Sequence, residues 1–194
     1  MKLVAITPEA YFPQEIDFIL TILDNGFDYV HIRKPQSDLE TVDNFVSRIP
    51  PEYYCRLKIH NHFEVAEKYN LGGIHLNAKH PTIPDCYTGK ISRSCHSFEE
   101  LTDINRFEYV FLSPIFNSIC KKGYLSNFTD KELREARDKG LVTPKVVALG
   151  GITAAKLPYL STIGFGGAAF LGYLFNAEDI QQLTTILNEI KKTI

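Results

Sequence analysis

The chain of 194 residues reads as an α/β protein, a single (β/α)8 TIM barrel spanning residues 1–194, on three observations. Eight short apolar, β-branched runs recur along it. Segments with helical periodicity follow most of those runs. The length sits near about 200 residues, the lower size at which such a barrel closes. An open doubly wound sheet is the rival architecture, but it commonly uses about five or six strands. No linker, composition shift or low-complexity stretch divides the chain.

Taken in order, the first strand is Leu3–Thr7. The helix Pro13–Asn25 follows, with Ile16, Ile19, Leu20 and Leu23 on one face at helical spacing. Strand Asp28–Arg33 precedes helix Leu39–Ile49, and strand Arg56–His60 precedes helix Phe63–Tyr69. Gly73–Leu76 is the fourth strand; Asn77–Thr88 after it is broken by Pro81 and Pro84 and reads as loop or a single turn. The remaining strands are Lys90–Ser94, Glu108–Leu112, Lys145–Leu149 and Gly167–Phe170. Helices Ser97–Ile104, Lys131–Lys139 and Ala154–Ser161 separate them, and Asp179–Lys192 closes the chain. Uniformly apolar strands separated by helices fit a parallel sheet covered on both faces.

Composition narrows the function classes. With 21 Lys+Arg against 23 Asp+Glu, the net charge of −2 does not suit a surface built to coat a polyanion, so no nucleic-acid partner is expected. No run approaches the roughly 18 apolar residues of a membrane span, so no membrane partner is expected either. Cys55, Cys86, Cys95 and Cys120 lie far apart with no C-x-x-C pair, and the opening MKLVAITPEA lacks the apolar core of a secretory signal. Reduced thiols and a cytoplasmic location are the expectation. A homo-oligomer is compatible with all of this.

In a barrel of this kind, function gathers at the C-terminal strand ends. Histidines concentrate there: His31, His60, His62, His75 and His96 at or after strand ends, and His80 in the loop beyond. His60 and His62, two apart in an extended strand, would share a face. Metal binding and ordinary polar roles both remain open for them. Gly150-Gly151-Ile152-Thr153 follows the seventh strand, and Gly172 follows the eighth. Backbone N–H groups at this pair of loops commonly cradle a phosphate, although a Gly-Gly pair also serves a plain tight turn. Arg33-Lys34 and Lys121-Lys122 place two basic pairs on the same rim, which suggests an anionic ligand. Cys120 beside Lys121 is either a reactive thiol or a buried bystander.

The series His31-Ile32-Arg33, Asn61 before a helix, Gly73-Ile74-His75-Leu76, Ser94-Cys95-His96-Ser97, Pro114-Ile115-Phe116, Cys120-Lys121-Lys122-Gly123 and Ala148–Thr153 resembles the thiamine phosphate synthase/TenI family, in order from about Leu3 to Phe175. The resemblance implies a (β/α)8 barrel and a transferase of thiamine biosynthesis. That enzyme class joins a pyrimidine diphosphate to a thiazole phosphate and releases diphosphate. It further implies that Arg33, Asn61, Ser94 and Lys121 meet the pyrimidine diphosphate. Ser118, Ile119, Cys120, Gly151, Leu171 and Gly172 would meet the thiazole phosphate.

Mg2+ is expected for the family. At the two positions of its aspartate ligands this chain carries His62 and His80, so no metal ligand is assigned. Pro35 replaces the family's second basic residue after strand two. The TenI branch includes a thiazole phosphate tautomerase, whose histidine base corresponds to Pro114 here. The acid–base candidates are therefore His96, Lys121 and His62. Synthase activity is the reading taken; a TenI-like tautomerase and a non-catalytic binder of a phosphorylated precursor are the alternatives.

Overall fold

The structure, a computed structural model, describes residues 1–117 and 126–194. Eight strands close a barrel in sequence order: β1 (Lys2–Ile6), β2 (Tyr29–Ile32), β3 (Leu57–Ile59), β4 (Gly73–Leu76), β5 (Ile91–Cys95), β6 (Tyr109–Leu112), β7 (Val146–Leu149) and β8 (Gly167–Phe170). Every pairing is parallel, and β1 meets β8 with Lys2 opposite Gly167 and Ala5 opposite Phe170. Gly167 makes that seam possible, because a Cβ there would lie 2.7 Å from the Lys2 carbonyl oxygen.

Helices α1 (Glu15–Asp24), α2 (Leu39–Ser47), α3 (Phe63–Lys68), α4 (Asp130–Asp138), α5 (Leu157–Ile163), α6 (Gly172–Phe175) and α7 (Ile180–Lys191) surround the strands. Their starts follow capping chemistry. Asp38 accepts from Thr41 N–H, Asp179 accepts from Gln182 N–H, and Thr129 forms a reciprocal box with Glu132. Three local expectations are corrected. Ser97–Ile104 holds a single 3-10 turn, Glu99–Leu101, too short to propagate a helix. Arg56 ends a 3-10 turn, Pro51–Arg56, and does not open β3. The short helix α6 follows β8, where the sequence predicts no element. Among the described residues no helix is long and apolar enough to cross a membrane.

Strand alternation sorts side chains into two cores. Leu3, Ala5, Val30, Ile32, Ile59, Ile74, Val110 and Val146 face the helices and join the large outer cluster. The opposite phase forms a smaller cluster inside the barrel, including Val4, Ile6, Tyr29, Tyr109, Phe111, Val147 and Ala169. That inward phase also carries polar residues: His31, Lys58, His75 and Ser92 are fully buried.

Lys34 is also buried, against the expectation of a free basic rim. Its Nζ lies 2.6 Å from Glu15 on α1 and donates to the Pro8 and Ala10 carbonyls. Only Arg33 of that pair remains available to a ligand. Cys55, Cys86 and Cys95 are free thiols.

Candidate active site

The C-terminal strand ends enclose an open cavity of about 1080 Å³. Arg33 after β2, Asn61 after β3, Ser94 on β5, Gly151 after β7 and Leu171 and Gly172 after β8 all line it. These residues lie far apart in sequence and meet because each sits at the same end of its strand. His96 also lines the mouth, whereas Lys121, Ser118, Ile119 and Cys120 lie outside the described residues.

Each wall has a local cause. Arg33 is held by Glu9 at 2.8 Å, the only carboxylate lining the mouth among the described residues. Asn61 is buried and donates its amide N–H to the Lys34 carbonyl, while its Oδ1 is a buried acceptor without a hydrogen-bond partner among the described residues. Such an acceptor costs about 1–3 kcal/mol unless an N–H or water meets it, so a donor group belongs there. His96 Nδ1 lies 3.1 Å from the Ser113 carbonyl oxygen and 3.3 Å from the Ser113 hydroxyl.

The Gly150-Gly151 turn has φ of +99° and +64°. A Cβ on Gly151 would lie 2.3 Å from the Asn117 carbonyl oxygen. The glycine therefore answers first to packing of the β6 loop, and a branched side chain would break the turn before it reached any anion. Helix α6 begins at Gly172, and its Leu174 and Phe175 N–H groups both donate to the Leu171 carbonyl.

The histidines divide, which corrects the expectation that they crowd the rim. His31, His60 and His75 lie inside the barrel beneath the mouth, and of these only His60 lines the cavity. His31 Nδ1 meets His60 Nε2 at 2.8 Å, and His31 Nε2 meets the Tyr109 hydroxyl at 2.6 Å. His75 Nδ1 meets Ser92 Oγ at 2.9 Å and its Nε2 meets Ser94 Oγ at 3.0 Å. Burial, followed by the neighbouring Arg33 and His80, pulls the His60 pKa down to about 3. Burial likewise holds His31 and His75 well below the usual imidazole range, with their histidine neighbours adding to it. The sequence signal was present in His31 between Val30 and Ile32 and His75 between Ile74 and Leu76: outward apolar residues force the histidines inward.

His62 does not share a face with His60. Its backbone is left-handed, with φ of +52°, which breaks strand alternation, and its Nε2 meets the Ser37 carbonyl at 2.8 Å. It lies off the mouth, beside a smaller depression that it flanks together with His80, so its acid–base candidacy is withdrawn. His80 lines both spaces. A family magnesium ion wants oxygen ligands. The residues present do not fit one: both aspartate positions are imidazoles, and Glu9 is engaged with Arg33.

Comparison with known proteins agrees with this geometry. A family model described as thiamine monophosphate synthase matches residues 3–173. A thiamine-phosphate synthase from Bacteroides thetaiotaomicron is 26% identical over 190 residues, covering 90% of this chain and 90% of that protein. One from Proteus mirabilis is 26% identical over 185 residues, covering 90% and 86%. A crystal structure of thiamine phosphate pyrophosphorylase from Bacteroides thetaiotaomicron superposes with a TM-score of 0.89 at 36% identity, covering 100% and 97%. A thiamine phosphate pyrophosphorylase from Pyrococcus furiosus shares the fold, with a TM-score of 0.78 at 19% identity over 99% and 94%.

Proposed function

From its place in the thiamine monophosphate synthase family, to which the chain belongs, we propose that it joins a pyrimidine diphosphate to a thiazole phosphate and releases diphosphate. The observation that carries the reading is convergence. Six residues that the family resemblance assigns to the two substrates, drawn from five strand ends, line one cavity. At about 1080 Å³ that cavity exceeds the roughly 300–1,000 Å³ of a typical single-ligand pocket, which suits two substrates side by side.

In this reading Arg33 and Ser94 hold the diphosphate, and Asn61 Oδ1 accepts from a donor on the pyrimidine. Gly151, Leu171 and Gly172 present backbone to the thiazole phosphate. Fixing both reactants turns a bimolecular encounter into an attack within one complex, which can lower the barrier by up to roughly 7–11 kcal/mol. Charge that develops on the departing diphosphate meets the Arg33 guanidinium in a partly enclosed mouth, where such contacts exceed their value in water. No step is derived through magnesium, because the residues present do not make its site.

The test is ligand binding followed by calorimetry. Arg33→Ala should weaken inorganic diphosphate binding tenfold or more, the loss of about 1.5–3 kcal/mol for a charge-assisted contact. Thiazole phosphate binding should change little. Equal, small losses for both ligands would place the diphosphate away from Arg33.

A further inference from the structure

Three neighbouring strands each send one histidine into the barrel interior: His31 from β2, His60 from just past β3 and His75 from β4. One ring nitrogen of each lies within 4.8 Å of the others. The ring centroids stand 5.1 Å apart for His31 and His60, 5.0 Å for His31 and His75, and 4.2 Å for His60 and His75. Three imidazoles on one tetrahedral ion, with bonds of about 2.0–2.1 Å, hold their ring centres about 5 Å apart. Two of the three separations already meet that figure, and the third has to open by about 1 Å to reach it. Among the described residues, these histidines are the only group of three or more His, Cys, Asp or Glu placed to hold a metal ion.

The outer nitrogens are held as those of metal-bound imidazoles are, on a neighbouring oxygen. His31 Nε2 lies 2.6 Å from the Tyr109 hydroxyl, and His75 Nδ1 lies 2.9 Å from Ser92 Oγ. Both oxygens can accept a ring N–H, and Ser92 has its own acceptor in the Ile74 carbonyl at 3.3 Å. With the protons there, His31 Nδ1 and His75 Nε2 keep their lone pairs. His60 Nε2 lies 2.8 Å from His31 Nδ1. A change of tautomer at His60 supplies the third lone pair without releasing a proton, and an ion between the two rings parts these nitrogens to about 3.3 Å. The neighbouring cations are already countered: Arg33 lies 2.8 Å from Glu9, and Lys58 lies 2.9 Å from Glu108.

We propose that His31, His60 and His75 form a three-histidine site for a divalent ion of the zinc class, with its fourth position open to the mouth. His60 and Ser94 both line the cavity, and Ser94 Oγ lies 3.0 Å from His75 Nε2, so an ion on these nitrogens meets the cavity beside Ser94. Three neutral imidazoles suit zinc, and a fourth position left open takes water or a ligand oxygen. Magnesium, which wants oxygen ligands, does not suit them. On the synthase reading the incoming oxygen belongs to a phosphate of a bound precursor; the metal site itself stands without that reading.

The test titrates chelator-treated protein with Zn2+ by calorimetry. One ion per chain should bind, and His31→Gln and His75→Gln should each weaken binding a hundredfold or more. His62 and His80 flank the smaller depression together with Glu64, Glu67 and Asp85, which makes them the control. His62→Gln combined with His80→Gln should leave binding unchanged. Co2+ in place of Zn2+ reads the geometry. A tetrahedral ion absorbs strongly in the visible, and inorganic phosphate added afterwards should shift that band by reaching the fourth position. If the glutamine variants do not fold, the wild-type titration and cobalt spectrum decide alone. A chain that binds no ion, or a weak six-coordinate cobalt spectrum, overturns the site. So does binding that survives both single variants, or that is lost with His62 and His80. A cobalt band indifferent to phosphate overturns the open fourth position. Zinc bound one per chain by a protein that forms no thiamine phosphate upholds the site and refutes the synthase reading alone.

Discussion

Glu15→Ala should lower folding stability by about 3–5 kcal/mol, as expected when one partner of a buried ion pair is removed. Glu15 is 2% exposed and Lys34 is 0% exposed, with 2.6 Å between them. Burial pushes the Glu15 carboxyl pKa up and the Lys34 ammonium pKa down, in each case against the pull of the partner. The pair is thus a desolvated one, and the ammonium left alone would keep the Pro8 and Ala10 carbonyls and the Tyr11 ring, whose centroid lies 4.2 Å away, but no countercharge. Those carbonyls belong to the loop that brings Pro8 and Glu9 to the mouth, so the same variant should loosen Arg33 through its Glu9 partner. Urea unfolding at pH 7 measures the effect. Replacing the pair together by Glu15→Leu with Lys34→Met should recover most of the loss, because apolar groups of similar size carry no desolvation penalty. A single-variant loss below about 1 kcal/mol would mean that Lys34 reaches solvent.

Acid should be the other strong perturbation. The His60 pKa is about 3 in the folded chain against about 6.5 unfolded. Between those values the unfolded chain binds the proton and the folded one does not. The stability contribution is therefore complete above about pH 6.5 and is lost as pH falls toward 3. His60 alone accounts for about 2 kcal/mol by pH 5 and about 5 kcal/mol at the low limit. His31 and His75 are shifted in the same direction and add to the slope. A domain holds only about 5–15 kcal/mol in all, so these residues bring acid unfolding into a mild range. Urea midpoints at pH 7 and pH 5 should differ strongly for the wild type and less for His60→Phe. Parallel pH dependence in the two proteins would show that His60 ionises freely in the fold.

Much of this architecture is legible in the sequence because a parallel barrel repeats one unit. The eight strands lie within a residue or two of where the apolar runs put them, and Arg33, Asn61, Ser94, Gly151, Leu171 and Gly172 come together for that reason. What the sequence hides is direction. His62 follows His60 at strand spacing, yet a left-handed residue turns it away toward Ser37. Lys34 reads as a rim cation until Glu15, on the preceding helix, is seen to hold it. Gly151 reads as an anion contact, whereas the nearest constraint on it is the Asn117 carbonyl. Each of these outcomes is set by a contact between elements, which periodicity does not encode.

Product formation tests most directly whether both precursors react in one mouth. The wild-type protein is mixed with a pyrimidine diphosphate and a thiazole phosphate, with magnesium and without. Thiamine phosphate is followed by chromatography and diphosphate by a coupled assay. The two products should form in equal amounts, and both should be strongly reduced with Arg33→Ala. Binding of both precursors with no thiamine phosphate formed under either condition would contradict it.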